Sequence, residues 1–240
     1  MTSPRSQWKA DSGQVLRKRP STVRRPPYLL ALAVLVALPW APMSAQVIDQ
    51  GVFSIRRGGI EIGREDFTIR TGRGPDGRTA GTTISAVTRY PALAPTTTIT
   101  TVLERSTSGL FTVFQLEYQA PDLSEQYLGA QDRGRITIHR FSPEATEARQ
   151  VAGGTAAYVM VDSVYALHQV LADLASVEGA AVTVYLARDG ARQRIIATRQ
   201  DDQRVQLAGD VAATMLLDSA GRIMRIEFPG TSVTAVRLSD

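Results

Sequence analysis

Cysteine and asparagine are both absent from the 240 residues of this chain. Without cysteine there can be no disulfide bond, no thiolate nucleophile and no cysteine-ligated zinc site. From residue 46 onward lysine and tryptophan are missing as well, so arginine stands at every Lys/Arg position there. A GC-rich genome explains this use of arginine without any function that is specific to it. The absences fit an exported protein that is stabilised by its hydrophobic core alone.

Histidine occurs only twice, as His139 and His168. Neither belongs to an H-x-H or H-x-x-x-H pair, so a metal site would need distant carboxylates. Ser163 and Ser219 lack the G-x-S-x-G context of a nucleophilic serine, and no phosphate-binding loop or calcium loop is present. We therefore predict no metal, no cofactor and no catalytic residue. An unrecognised hydrolase, with catalytic groups converging in space, is kept as an alternative.

Positive charge is concentrated at the beginning of the chain. The formal net charge is +4, but residues 1–45 hold seven of the 27 basic residues and one of the 23 acidic residues. The rest of the chain therefore has 20 basic against 22 acidic residues. Because nucleic-acid binding requires a net basic surface, we expect no nucleic-acid partner.

The basic segment precedes an apolar run of eleven residues, Tyr28–Leu38, and small residues follow before Gln46. A membrane-spanning helix needs about 20 apolar residues, so the run is more typical of a secretory signal. We predict that residues 1–45 form a signal peptide with a long basic region, and that 46–240 form a single β-rich exported domain. This places the protein in the periplasm or at the outer membrane, with no transmembrane helix after cleavage. The alternative is an uncleaved anchor.

Short β-branched and aromatic segments alternate with turn residues about every ten positions after the leader, which predicts an antiparallel meander. In Ile60–Arg70 the parity of the apolar residues changes from Ile60 and Ile62 to Phe67 and Ile69. A strand cannot bury both sets on one face, so we predict a β-bulge or kink near residues 63–65. The predicted strands are 51–57, 60–70, 79–90, 96–105, 110–119, 125–132, 135–141, 145–152, 181–187, 192–199, 204–207, 211–217, 222–228 and 232–238.

One helix interrupts the strands. The stretch 162–175 carries apolar residues at spacings of three and four, with Asp162 or Ser163 available as an N-terminal cap and Gly179 just past its end. The apolar residues of this stripe are Val164, Leu167, Leu171 and Leu174. We predict a mainly β fold, a curved antiparallel sheet that forms a half-barrel or open barrel, with this amphipathic helix on its concave face.

A cleft between such a sheet and its helix can hold a lipid, an acyl chain or another hydrophobic small molecule. The predicted lining residues are Phe114, Tyr118, Tyr127, Tyr165 and His168. The alternative is that these side chains fill the core, as inward-facing aromatics usually do. A second function is also kept: a structural or assembly partner in the envelope that binds another envelope protein through an exposed strand edge.

Two segments carry a family resemblance, the hairpin residues 59–63 (GIEIG) and the strand-turn-strand at 218–228 (DSAGRIMRIEF). Together with the leader and the single helix, they resemble exported bacterial proteins of unknown function whose half-barrel is like that of the periplasmic lipoprotein carriers and outer-membrane lipoprotein receptors. The resemblance implies a non-enzymatic envelope protein that binds a hydrophobic group. The chain has no cysteine for lipidation, so it departs from the receptor branch.

Overall fold

The computed structural model describes residues 45–73, 79–91 and 96–238. Within them fifteen strands form one nearly closed, barrel-like sheet, so the predicted mainly β fold is confirmed. The strands are β1 (Gln46–Arg57), β2 (Ile60–Arg73), β3 (Thr79–Tyr90), β4 (Thr97–Arg105), β5 (Phe111–Ala120), β6 (Leu123–Asp132), β7 (Arg135–Phe141), β8 (Thr146–Ala152), β9 (Ala157–Met160), β10 (Ala180–Leu186), β11 (Arg192–Asp201), β12 (Arg204–Gly209), β13 (Ala213–Leu217), β14 (Ile223–Phe228) and β15 (Val233–Arg237).

The sheet consists of two meanders joined by one pair of strands. Its order is β8-β7-β6-β5-β4-β3-β2-β1-β15-β14-β13-β12-β11-β10-β9. Neighbouring strands are antiparallel except for β9 and β10, which are parallel. Strand β9 is the one strand that the sequence did not predict. Its four residues are all buried, and a strand covered on both faces lacks the alternation that reveals a half-exposed strand.

The predicted bulge in β2 is confirmed. Ile55 of β1 pairs with Gly63, but the next residue, Arg56, pairs with Glu61, so Ile62 is the extra residue. Beyond the bulge, Glu65 is buried on the same face as the core residue Phe67. The bulge therefore directs an acidic side chain into the barrel.

Large apolar side chains fill the interior. Phe53 and Phe67 stack across β1 and β2 with ring centroids 5.0 Å apart, and Ile55 and Leu103 have no exposed surface. Complete burial of such a side chain contributes about 1.5–3 kcal/mol relative to leaving it in water. The buried cluster includes residues of the meanders on both sides of β1, so the two meanders share one core.

The predicted helix is wrong in its extent. Instead of a helix over 162–175, a 3-10 helix at Ala166–His168 leads into the short α-helix α1, Gln169–Leu174. The residues at the two N-cap positions, Tyr165 and His168, form no capping hydrogen bond with their side chains, and neither Asp162 nor Ser163 has the expected role. Gly179 lies in the turn before β10 rather than at the end of α1. We call residues 161–174 the plug.

The apolar stripe of the plug is buried as predicted. Val164, Leu167 and Leu171 have no exposed surface, and Leu174 is half-buried against the same core. Side-chain bonds then attach α1 to three strands. Arg105 of β4 forms an ion pair of 2.6 Å with Asp173, Arg199 of β11 donates to the carbonyl of Ala172 at 2.9 Å, and the backbone N–H of Ile223 in β14 donates to Gln169 at 3.3 Å.

The predicted signal peptide lies outside the described residues except for Ala45. In the part of the chain that the structure describes, no helix has the length and apolar character needed to cross a membrane.

Candidate functional site

A cavity of about 630 Å³ lies beside the start of the plug. It is bounded by residues of β1–β5, by the plug, by residues of β14, β15 and the turn between them, and by residues of the turns that follow β10 and β12. We call it the large cavity. Its apolar and aromatic lining residues are Ile62, Tyr90, Ile99, Tyr118, Tyr165, Val211, Ala212, Phe228 and Val233. The charged residues that line it are Arg57, Asp162, Arg188 and Asp210.

A second cavity of about 390 Å³ shares Asp162 and Arg188 with the first. We call it the polar cavity. Its other lining residues include Glu125, Tyr127 and Arg140. A further depression of about 650 Å³ lies at the Asp201-Asp202 turn, but charged and polar residues and one glycine line it, so it offers no apolar wall.

The polar cavity is organised around a buried carboxylate. Glu125 accepts hydrogen bonds from Arg140 Nη2 at 2.5 Å and Nε at 3.0 Å, and from the Tyr127 hydroxyl at 3.0 Å. Burial opposes its charge, yet the hydrogen bonds from Arg140 and Tyr127 keep the pKa of Glu125 below its usual value. Arg188 lies farther away, with its Nε 3.7 Å from the same carboxylate.

Two tyrosines connect the large cavity to the plug. The Tyr90 hydroxyl donates to the Ser163 carbonyl at 2.7 Å, and Gly63 leaves room for the Tyr90 ring, since a Cβ there would lie 2.6 Å from Tyr90 Cδ1. Burial raises the pKa of Tyr90 and raises that of Tyr165 to about 12. Both are therefore neutral phenols at physiological pH.

We expect Tyr90→Phe to lower the free energy of unfolding by about 1 kcal/mol, because the Ser163 carbonyl loses its donor. Denaturation in urea measures this. The matched control is Tyr185→Phe, since Tyr185 is similarly buried but its hydroxyl has no hydrogen-bond partner within the described residues. Equal losses in the two variants would contradict the role given to this hydrogen bond.

Glu65 holds the beginning of the plug. Its carboxylate accepts the backbone N–H groups of Tyr165 at 2.8 Å and Ala166 at 2.6 Å, and the Thr88 hydroxyl at 2.8 Å. The first N–H groups of a helix need such acceptors. A residue about 100 positions away therefore supplies the cap that Asp162 and Ser163 do not provide. Burial raises the pKa of Glu65 to about 7.

His168 is buried between two aromatic rings. Its centroid lies 6.1 Å from that of Tyr165 and 5.5 Å from that of Phe228. Burial lowers its pKa to about 4, and its Nδ1 has no hydrogen-bond partner among the described residues. The ring is therefore neutral at physiological pH and packs as part of the core.

The five predicted lining residues are found in different places. Tyr118 and Tyr165 line the large cavity, and Tyr127 lines the polar cavity. Phe114 has no exposed surface and lines neither cavity, and His168 also lines neither. For these last two residues the structure agrees with the alternative that they fill the core.

Several site residues were missed by the sequence reasoning. Tyr90 could have been found, because it shares the strand parity of the inward-facing Ile84 and Ala86. Arg57 and Arg188 lie at turns, where no local pattern marks them as cavity residues.

The hydrolase alternative needs a histidine beside a carboxylate and a nucleophile. His139 is exposed and stacks on Phe141 at 6.2 Å, and within the described residues neither histidine is bonded to a carboxylate. Among these residues there is likewise no group of three or more His, Asp or Glu side chains placed to hold a metal ion.

No protein-family model and no curated protein matches the chain. Two solved structures are similar to it in fold. One is a DUF1089 family protein from Pseudomonas aeruginosa, with 13% identity and a TM-score of 0.44, covering 62% of this chain and 84% of that one. The other is a beta-barrel-like protein of domain of unknown function DUF1849 from Brucella abortus. It has 10% identity and a TM-score of 0.45, and covers 79% of this chain and 95% of that one.

Proposed function

We propose that this chain is an exported envelope protein that binds a lipid, an acyl chain or another hydrophobic ligand without catalysing a reaction on it. The large cavity is the observation that supports this proposal. Its volume of about 630 Å³ is in the range of small-molecule sites, about 300–1,000 Å³. The leader at residues 1–45 supports a location in the periplasm or at the outer membrane.

The lining of the cavity suits an apolar chain. Ile62, Ile99 and Val233 contribute aliphatic surface from the sheet, and Tyr165 and Phe228 contribute aromatic surface. Each methylene that moves from water into such a site gains about 0.8 kcal/mol. Longer acyl chains therefore bind more tightly, up to the length that the cavity accepts. The acyl chain of a lipoprotein is the example that the resemblance to periplasmic carriers suggests.

Filling the cavity tests the proposal. We expect Val211→Trp to lower the affinity for the neutral fluorescent probe 1-N-phenylnaphthylamine at least about tenfold, because the indole ring would occupy apolar cavity volume that the probe otherwise fills. A tenfold lower affinity corresponds to a loss of about 1.4 kcal/mol of binding free energy. Val211 is half-buried at the cavity wall. Fluorescence titration of the full chain measures the affinity.

The matched control is Val177→Trp, because Val177 is 79% exposed and lines neither cavity. Thermal unfolding of both variants shows whether they remain folded. Unchanged affinity in a folded Val211→Trp variant, or no binding to the unaltered chain, would overturn the proposal.

The edge strand β8 favours a second candidate, an assembly partner in the envelope. Among the described strands it pairs only with β7, and it is mostly exposed. Such an edge can accept a strand from another protein. In that case the Val211→Trp variant keeps its envelope partner, since the filled cavity lies elsewhere.

A further inference from the structure

The two cavities share the lining residues Asp162 and Arg188, and they differ in character. The large cavity is mainly apolar, whereas the polar cavity is lined by charged groups. We propose that the ligand is an amphiphile with an anionic head, a carboxylate or a phosphate, and that Arg188 and Arg57 bind this head where the apolar wall ends. This inference rests on the proposed function and specifies its ligand class.

Arg188 is held in place but is not neutralised. Its guanidinium carbon lies 3.9 Å from the centroid of the Tyr118 ring, which orients the group at the boundary of the two cavities. Its only carboxylate contact among the described residues is Glu125, at 3.7 Å. Glu125 already accepts two hydrogen bonds from Arg140 and one from Tyr127. The guanidinium of Arg188 therefore has donors left for an incoming carboxylate or phosphate, which it can bind in a bidentate manner.

Arg57 provides a second positive charge on the wall of the large cavity. It is the last residue of β1, it is exposed, and within the described residues no carboxylate lies at ion-pair distance from it. Its charge acts on the nearby Tyr165 hydroxyl, which also lines the cavity. The head of a ligand whose tail lies against Tyr165 is therefore within the field of Arg57.

The carboxylates around the cavities keep their negative charge, because a hydrogen bond from a backbone N–H group does not cancel it. Asp189 accepts the backbone N–H of Ala191 at 2.8 Å, and Asp210 accepts that of Arg194 at 2.7 Å, so each of these two groups is engaged by its own turn. Asp162 also lines both cavities. The assignment of an anionic head therefore rests on the position of Arg188 and Arg57 at the apolar wall and not on the total charge of the lining.

Two probes with the same tail test the assignment, cis-parinaric acid and its methyl ester. We expect the full chain to bind the acid about tenfold more tightly than the ester, since a charge-assisted hydrogen bond contributes about 1.5–3 kcal/mol. Arg188→Gln and Arg57→Gln should each weaken binding of the acid about five- to tenfold and leave binding of the ester within about twofold. Fluorescence titration gives both affinities.

Arg192→Gln is the matched control, because Arg192 is exposed and lines neither cavity. It should leave both affinities unchanged, and thermal unfolding shows whether each variant is folded. Equal affinities for acid and ester, with no effect of either arginine substitution, would overturn this inference and leave the proposed function standing. If neither probe binds the unaltered chain, the proposed function itself fails. Inorganic phosphate that binds the chain as tightly as the acid does would also overturn the inference, because the apolar tail would then add nothing to binding.

Discussion

Glu65→Ala should lower the free energy of unfolding by about 4 kcal/mol, because buried donors left without an acceptor cost about 1–3 kcal/mol each. The substitution removes the acceptor of two backbone N–H groups, those of Tyr165 and Ala166, and of the Thr88 hydroxyl. It also leaves an empty volume at a side chain with no exposed surface. Urea denaturation measures the loss.

The neighbouring Asp66→Ala is the matched control. Asp66 points outward from the same strand, and its ion pair with Arg89 joins two side chains that are 57% and 55% exposed. Such a surface pair contributes about 0–1 kcal/mol, so we expect a loss of that size. Similar losses in the two variants would show that the carboxylate of Glu65 does not hold the plug.

The second large effect is on the pH dependence of stability, where Glu65 and His168 oppose each other. The pKa of Glu65 is raised from 4.5 to about 7 in the folded protein, so its contribution is greatest below pH 4.5 and is lost as the pH rises to about 7. The pKa of His168 is lowered from 6.5 to about 4, so its contribution is complete above pH 6.5 and is lost as the pH falls to about 4. Between pH 4.5 and 6.5 the changes that Glu65 and His168 make to the free energy of unfolding are opposite in sign and cancel.

Variants of one residue at a time should separate the contributions of Glu65 and His168 to the pH dependence of stability. Each unit of pH in that window corresponds to about 1.4 kcal/mol for each group, or about 3 kcal/mol across it. Relative to the unaltered chain, we expect Glu65→Gln to become less stable by that amount as the pH is lowered from 6.5 to 4.5. His168→Gln should become more stable by a similar amount. Urea denaturation at a series of pH values gives the difference curves, and curves parallel to that of the unaltered chain would contradict the assignment.

Glu65 also shows how much of the fold could be predicted from the sequence. The parity change between Ile62 and Phe67 predicted the bulge, because the backbone of a strand allows only two faces. That Glu65 would meet the plug could not be predicted, since its hydrogen bonds join residues about 100 positions apart. A local cap at Asp162 was the natural expectation, and the tertiary structure supplied a distant carboxylate instead.

The cavity was predicted only in part for a similar reason. The inward-facing Tyr118 follows from strand parity. Whether an aromatic fills the core, as Phe114 does, or borders a gap depends on how the strands curve around it. Arg188 belongs to a turn between β10 and β11, and its place beside Tyr118 arises only when the sheet is assembled.

The pairing of β1 with β15 sets the order in which this sheet can be assembled. It joins residues about 180 positions apart, from Phe53 with Arg237 to Arg57 with Val233, and it is the one ladder between the two meanders in the described residues. Each meander can pair its own strands as the chain emerges, but β1 keeps an unpaired edge until β15 has been made. An open strand edge is a site of aggregation. The interval between the emergence of the first strand and that of the last is therefore the period in which a newly made chain is most in need of a chaperone.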